Sequence, residues 1–216
     1  MEANMIVDKC LVCRHTLVFL PRPDEPLQKP PLNETPKERE KRIEENERKA
    51  EKTINLLHSN ESFEKVGDRI YAAQDKINSP NFQNELKIAK ESSSSGSTVY
   101  LVSEKNKDVK HYDTITDGVK LEYKTVAEGN TSSLGSAFRK SREQSPNVWI
   151  DLEKSRLTIC EIIRELFLER NRQPHTDKNG IFRKGYDQHN KFEGGTIILK
   201  LPGGRKLYIP VDSIKK

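Results

Sequence analysis

The chain has no long hydrophobic run: none of its 216 residues lies in a stretch near the ~20 apolar residues that a membrane-spanning helix requires. No membrane span is expected. Aromatics are sparse at 6%, with one tryptophan, and apolar residues make up 33% of the chain, no more than the charged ones. With a mean hydropathy of −0.83, much of the chain must be solvated surface or linker around a small core. Cysteine is scarce too. Cys10, Cys13 and Cys160 cannot form an even disulfide framework, so a reducing site of synthesis is expected. Cys10, Cys13 and His15 offer two or three zinc ligands where a structural site takes four, which argues against zinc there. Residues 5–20 are too interrupted by Asp8, Lys9, Arg14 and His15 to serve as a signal segment, and are read as mature sequence. Nor does one sign of charge dominate. Thirty-eight Lys and Arg against 33 Asp and Glu leave +5, a balance that favours an anionic partner only weakly.

Proline is concentrated instead of scattered. Pro21, Pro23, Pro26, Pro30, Pro31 and Pro36 make residues 21–36 a stiff linker. Thr35-Pro36-Lys37-Glu38 is a capping box with proline at the first helical position, and opens a charged helix to about residue 58. Residues 1–60 thus read as an extension and residues 61–216 as the folded domain. Within the latter, Phe82, Leu86 and Ala89 form one stripe of a helix over about 80–91. Strands are expected near 98–102, 110–116, 119–126 and 147–152, and helices over about 133–144 and 159–170. The strand and helix alternation is that of a βαβ crossover, so the fold class is α/β, with a mixed central sheet flanked by helices. A last hairpin surrounds Pro202-Gly203-Gly204.

The chemistry concentrates at Asp117-Gly118, the dipeptide suited to a two-residue type I′ hairpin turn. If these are the turn residues, facing positions sum to 235, and Asp113 faces Glu122 at ~5 Å between Cβ atoms. Two like charges there are destabilising alone, so something positive should sit between them. Lys124 shares a face with Glu122, while Leu121 and Tyr123 point the other way. Two carboxylates form a hard oxygen site suited to Mg²⁺, with Mn²⁺ or Zn²⁺ as alternatives. Such an ion would activate water and neutralise charge on a reacting phosphodiester, and the lysine could stabilise developing negative charge. The competing bland reading is of solvated charges on an edge hairpin.

The pattern Tyr112-Asp113, Leu121-Glu122-Tyr123-Lys124-Thr125, the helical stretch from Ala137 to Gln144, then Val148-Trp149-Ile150-Asp151-Leu152 resembles the PD-(D/E)xK nuclease superfamily, over about residues 82–152. It is similar to the C-terminal toxin domains of bacterial contact-dependent inhibition proteins, several of which are tRNA nucleases. The resemblance implies a restriction-endonuclease-like fold and catalytic roles for Asp113, Glu122 and Lys124. It implies Glu85 as a further metal ligand from the first core helix, and Gln144 as the glutamine some members carry at the end of the second. Tyr112 stands where the family's proline would be. The resemblance further implies a tRNA substrate, a cognate immunity protein, and synthesis in a bacterial cytoplasm, with delivery inside a larger toxin to act in a recipient's cytoplasm.

Arg139, Lys140 and Arg142 on the helix after the hairpin, with Arg183 and Lys184 near the C-terminus, are the expected phosphate contacts. Two rival readings stand beside the metal nuclease. One is a metal-independent ribonuclease in which His111, with His175 or His189, does acid–base work. The other is a module that binds nucleic acid without cleaving it.

Overall fold

In the computed structural model, the described residues are 7–9, 16–18, 31, 33–103, 105, 112–126, 130–170, 194–211 and 214. A short antiparallel ribbon comes first, β1 (Val7–Lys9) against β2 (Thr16–Val18). The expected capping box then opens α1 (Pro36–Leu57): Glu38 N donates to the Thr35 side chain, and the Glu38 carboxylate accepts from Thr35 N at 2.9 Å. The strands β3 (Phe63–Gly67) and β4 (Ile70–Ala73) follow as a hairpin, then the single turn α2 (Gln74–Ile77) and the helix α3 (Phe82–Ser94). Next come β5 (Val99–Leu101), β6 (Thr114–Thr116), β7 (Val119–Thr125), α4 (Thr131–Gln144), β8 (Asn147–Asp151), α5 (Ile159–Arg170), β9 (Thr196–Lys200) and β10 (Lys206–Pro210).

The chain divides into two compact units. In the unit Pro26–Tyr123 the strand order is β3-β4-β5-β6-β7; β4 and β5 are parallel, joined by α2 and α3, and the other neighbours are antiparallel. The expected hairpin register is observed, with Thr116 opposite Val119 and Thr114 opposite Leu121. Pleating sends alternate residues to opposite faces. Ile115 joins Tyr100, Tyr112 and Val102 against Ala50 and Ile54 of α1, so the charged helix buries a narrow stripe on this sheet. Leu121 and Tyr123 are buried with the opposite parity. Gly118 carries the positive φ of +84° that the turn needs and lies against the backbone of Lys49.

The other unit comprises Met1–Glu25 and Lys124–Lys216. Here β9 lies between the parallel β8 and the antiparallel β10. Val148, Ile150, Ile197 and Leu199 pack with Leu134 and Phe138 of α4 and with Ile162 and Leu166 of α5. Cys160, in the first turn of α5, is disulfide-bonded, although the odd count of cysteines was read as offering no even disulfide framework. The architecture is thus the expected α/β one, a mixed sheet with helices packed on it.

Candidate active site

Lys76 sits in α2, directly after β4, and is only 2% exposed. A buried ammonium must find anionic partners, because desolvation otherwise costs more than burial gains. Its Nζ lies 2.8 Å from Glu85 Oε2 and 3.7 Å from Asp113 Oδ1. Glu85 reaches this point because the first turn of α3 turns Phe82, Glu85 and Leu86 inward together. Asp113 reaches it from the bend just before β6, where its Oδ2 accepts the Tyr123 amide hydrogen at 2.8 Å.

That last bond modifies the expected geometry. One step beyond the Thr114–Leu121 pair, Asp113 falls opposite Glu122, as the register requires. A main-chain N–H points in the plane of the sheet, however, so the Asp113 carboxylate lies against the β7 backbone and does not stand off one face. Glu122 is wholly buried at 0% exposure, and Lys124, two residues on along β7, is half-buried. Burying Lys76, Glu85 and Glu122 in one small unit is a poor way to gain stability, since apolar residues of similar volume would serve as well or better. Such clusters mark candidate functional sites.

The donors are carboxylates, hard oxygen ligands that match Mg²⁺ in chemistry. Among the described residues no three His, Cys, Asp or Glu side chains are grouped to hold a metal ion, and Glu85 and Asp113 instead share the Lys76 ammonium. The positive charge expected beside Asp113 is therefore supplied by a lysine that the sequence reading missed.

Around this cluster runs a polar network at the carboxyl ends of the parallel strands β4 and β5, where open α/β sheets commonly place their sites. Ser103, just past β5, donates its hydroxyl to Asp75 Oδ2 at 2.5 Å and its amide to Glu61 Oε2 at 3.2 Å. The other Glu61 oxygen lies 2.6 Å from His58 Nδ1, and His58 Nε2 lies 2.7 Å from the Tyr112 hydroxyl. A carboxylate accepts, so the hydrogen shared with Glu61 belongs to Nδ1, while Nε2 and the Tyr112 hydroxyl share the second hydrogen bond. Burial, reinforced by the charge of Glu61, pushes the Tyr112 phenol up to about 12. His58, at the C-cap of α1, thereby ties the charged helix to the residue beside Asp113.

Arg139 donates to Glu169 and to Ser136 Oγ at 3.2 Å. Arg142, 4% exposed in the last turn of α4, donates to the carbonyls of Pro146 and Gly194, so its guanidinium clamps backbone and is not an open phosphate contact. Lys140 is exposed, and Gln144, at the end of α4, is half-buried. Arg183, Lys184, His111, His175, His189, Cys10, Cys13 and His15 lie outside the described residues. Among the described residues no helix is long and apolar enough to cross a membrane.

No protein-family model matches the chain, and no curated protein matches it. Among solved structures it is similar to the "CdiA-CT/CdiI toxin and immunity complex from Burkholderia pseudomallei", with 16% sequence identity, coverage of 86% of this chain and 96% of that chain, and a TM-score of 0.37.

Proposed function

We propose that this protein is a metal-dependent nuclease of the PD-(D/E)xK type that hydrolyses phosphodiester bonds, with tRNA as substrate, and that it serves as a toxin domain. The observation that carries the reading is the wholly buried Glu122, in the register that brings it opposite Asp113, together with the inward Glu85 linked to Asp113 through Lys76. Asp113 and Glu122 would hold Mg²⁺, with Glu85 as a further ligand; the ion would supply charge neutralisation at the phosphate and an activated water. Tyr123 N–H fixes Asp113 Oδ2, while Oδ1 faces the Lys76 ammonium. Lys124, on β7, would stabilise negative charge that develops only in the transition state. Lys140 supplies the exposed phosphate contact on α4, and a cognate immunity protein would cover the site in the producing cell. The rival metal-free ribonuclease gains nothing from His58, whose two ring nitrogens are both engaged inside the core.

Glu122→Gln tests the reading, because it keeps the shape of the side chain while weakening it as a ligand. Turnover on total tRNA should fall by about 100-fold or more while tRNA affinity is retained. A chain that binds tRNA, never cleaves it, and binds unchanged or more tightly after this substitution is a binding module, and the nuclease reading is then wrong.

A further inference from the structure

Lys76 lies outside the D…ExK pattern, yet it is a buried cation paired with two of the cluster's carboxylates. Its ammonium is 2.8 Å from Glu85 and 3.7 Å from Asp113, two of the three carboxylates proposed as metal ligands, and its side chain is 1% exposed. An ammonium is a compact point charge on a flexible four-carbon stem. Here that stem is carried by a helix of one turn. Two cations cannot share the same carboxylates at a few ångströms without strong repulsion in a dry site.

We infer that Lys76 is a built-in counter-ion of the carboxylate cluster, which a divalent cation must displace from Glu85 and Asp113 in order to bind. This rests on the proposed metal-dependent reading. The lysine stabilises the metal-free protein by pairing with the buried Glu85 carboxylate at 2.8 Å. Metal binding is then an exchange of one internal cation for an external one, and its affinity is set partly by the strength of the Lys76 ion pairs. Mg²⁺, which tolerates keeping several waters and few protein ligands, suits such a site better than an ion demanding a preformed cage.

The test uses the full chain and Mg²⁺ alone. A buried ammonium exchanges its protons slowly, so Lys76 should give a side-chain nitrogen resonance in the metal-free protein, assigned by its loss in Lys76→Met. Saturating Mg²⁺ should abolish or strongly shift it. By calorimetry, Lys76→Met should bind Mg²⁺ at least ~10-fold more tightly than the natural chain, because the competing charge is gone. If that variant does not fold, Lys76→Met/Glu85→Gln removes one charge of each sign, and the same gain is expected relative to Glu85→Gln. Mg²⁺ binding that depends on Glu122, with the Lys76 resonance unmoved and affinities within about threefold, overturns this inference and leaves the nuclease reading standing. Absence of Glu122-dependent binding overturns both.

Discussion

Replacing Gly118 by alanine perturbs the turn on which the Asp113–Glu122 register depends, and the structure sets the size of the effect. A Cβ at this position would lie 2.9 Å from Lys49 O and 3.0 Å from Lys49 C, both backbone atoms of α1, and the residue sits at φ +84°. The left-handed conformation costs a non-glycine residue ~1–2 kcal/mol. Forcing a methyl group against rigid backbone adds ~1–3 kcal/mol, or else α1 lifts and the Thr53 Oγ1 to Gly118 O bond of 2.9 Å is lost. A total of about 3 kcal/mol should lower the melting temperature by roughly 6–12 °C for a chain of this size. Gly203 is the control, since its φ of +83° is nearly the same but nothing lies within 4 Å of its would-be Cβ. Gly203→Ala should cost only ~1 kcal/mol, a fall of roughly 2–4 °C. Calorimetric melting of both variants decides the matter. Equal shifts would show that α1 does not rest on the turn, and a larger shift for Gly203→Ala would refute the account of the hairpin.

Glu85→Ala takes from the buried Lys76 ammonium a carboxylate 2.8 Å away and should destabilise the protein by ~3–5 kcal/mol in denaturant unfolding, whereas a cost below ~1 kcal/mol would mean the pair is not desolvated. Tyr100, Tyr112 and Tyr123 each have their phenol pushed up to about 12, chiefly by burial, so alkaline titration of tyrosine absorbance should show three groups still protonated at pH 11. Because their folded values exceed the unfolded value near 10, the stability they confer is complete below pH 10 and is lost as pH rises from 10 through 12. Lys140→Ala should reduce the salt dependence of tRNA affinity by about one unit of slope with little change in stability. Arg142→Ala should instead destabilise the fold by about 1–2 kcal/mol, since the carbonyls of Pro146 and Gly194 lose a charged donor and a buried side chain is removed; the reverse pattern would restore Arg142 as a phosphate contact.

Local signals were strong where the chain interacts with itself over a few residues. Asp117-Gly118 specified both the turn and the register, Thr35 to Glu38 the start of α1, and Thr158 and Glu161 the start of α5, whose box is closed by the Thr158 amide and hydroxyl on one carboxylate oxygen at 2.8 and 2.7 Å. The hairpin β3–β4 escaped notice because it turns through Arg69 at φ +51° and carries a register shift between Lys65 and Gly67, with no Asn-Gly or Asp-Gly to mark it. The single turn α2 is too short to show periodicity. Lys76 was therefore invisible as a site residue, its partners Glu85 and Asp113 being set beside it only by the β4-α2-α3-β5 crossover and the β6 bend. The charged α1 read as an appendage on composition, yet Ala50 and Ile54 suffice to dock it on Ile115 and Tyr112. Arg142 read as a phosphate contact because a single sequence does not reveal which backbone carbonyls will come within reach of a guanidinium at a helix end. His58-x-x-Glu61 offered a signal, an i,i+3 pair at a helix end, that passed unused.

The central claim is metal-dependent cleavage of nucleic acid by the Asp113–Glu122 site, and one measurement tests it most directly: incubation of the purified chain and its Glu122→Gln variant with total tRNA and with plasmid, each in Mg²⁺ and in EDTA. The account predicts that the natural chain cuts tRNA in Mg²⁺, that EDTA abolishes cutting, and that the variant is inactive in both. Full cleavage in EDTA, or a fully active Glu122→Gln, would contradict it and reduce the buried carboxylates to structure.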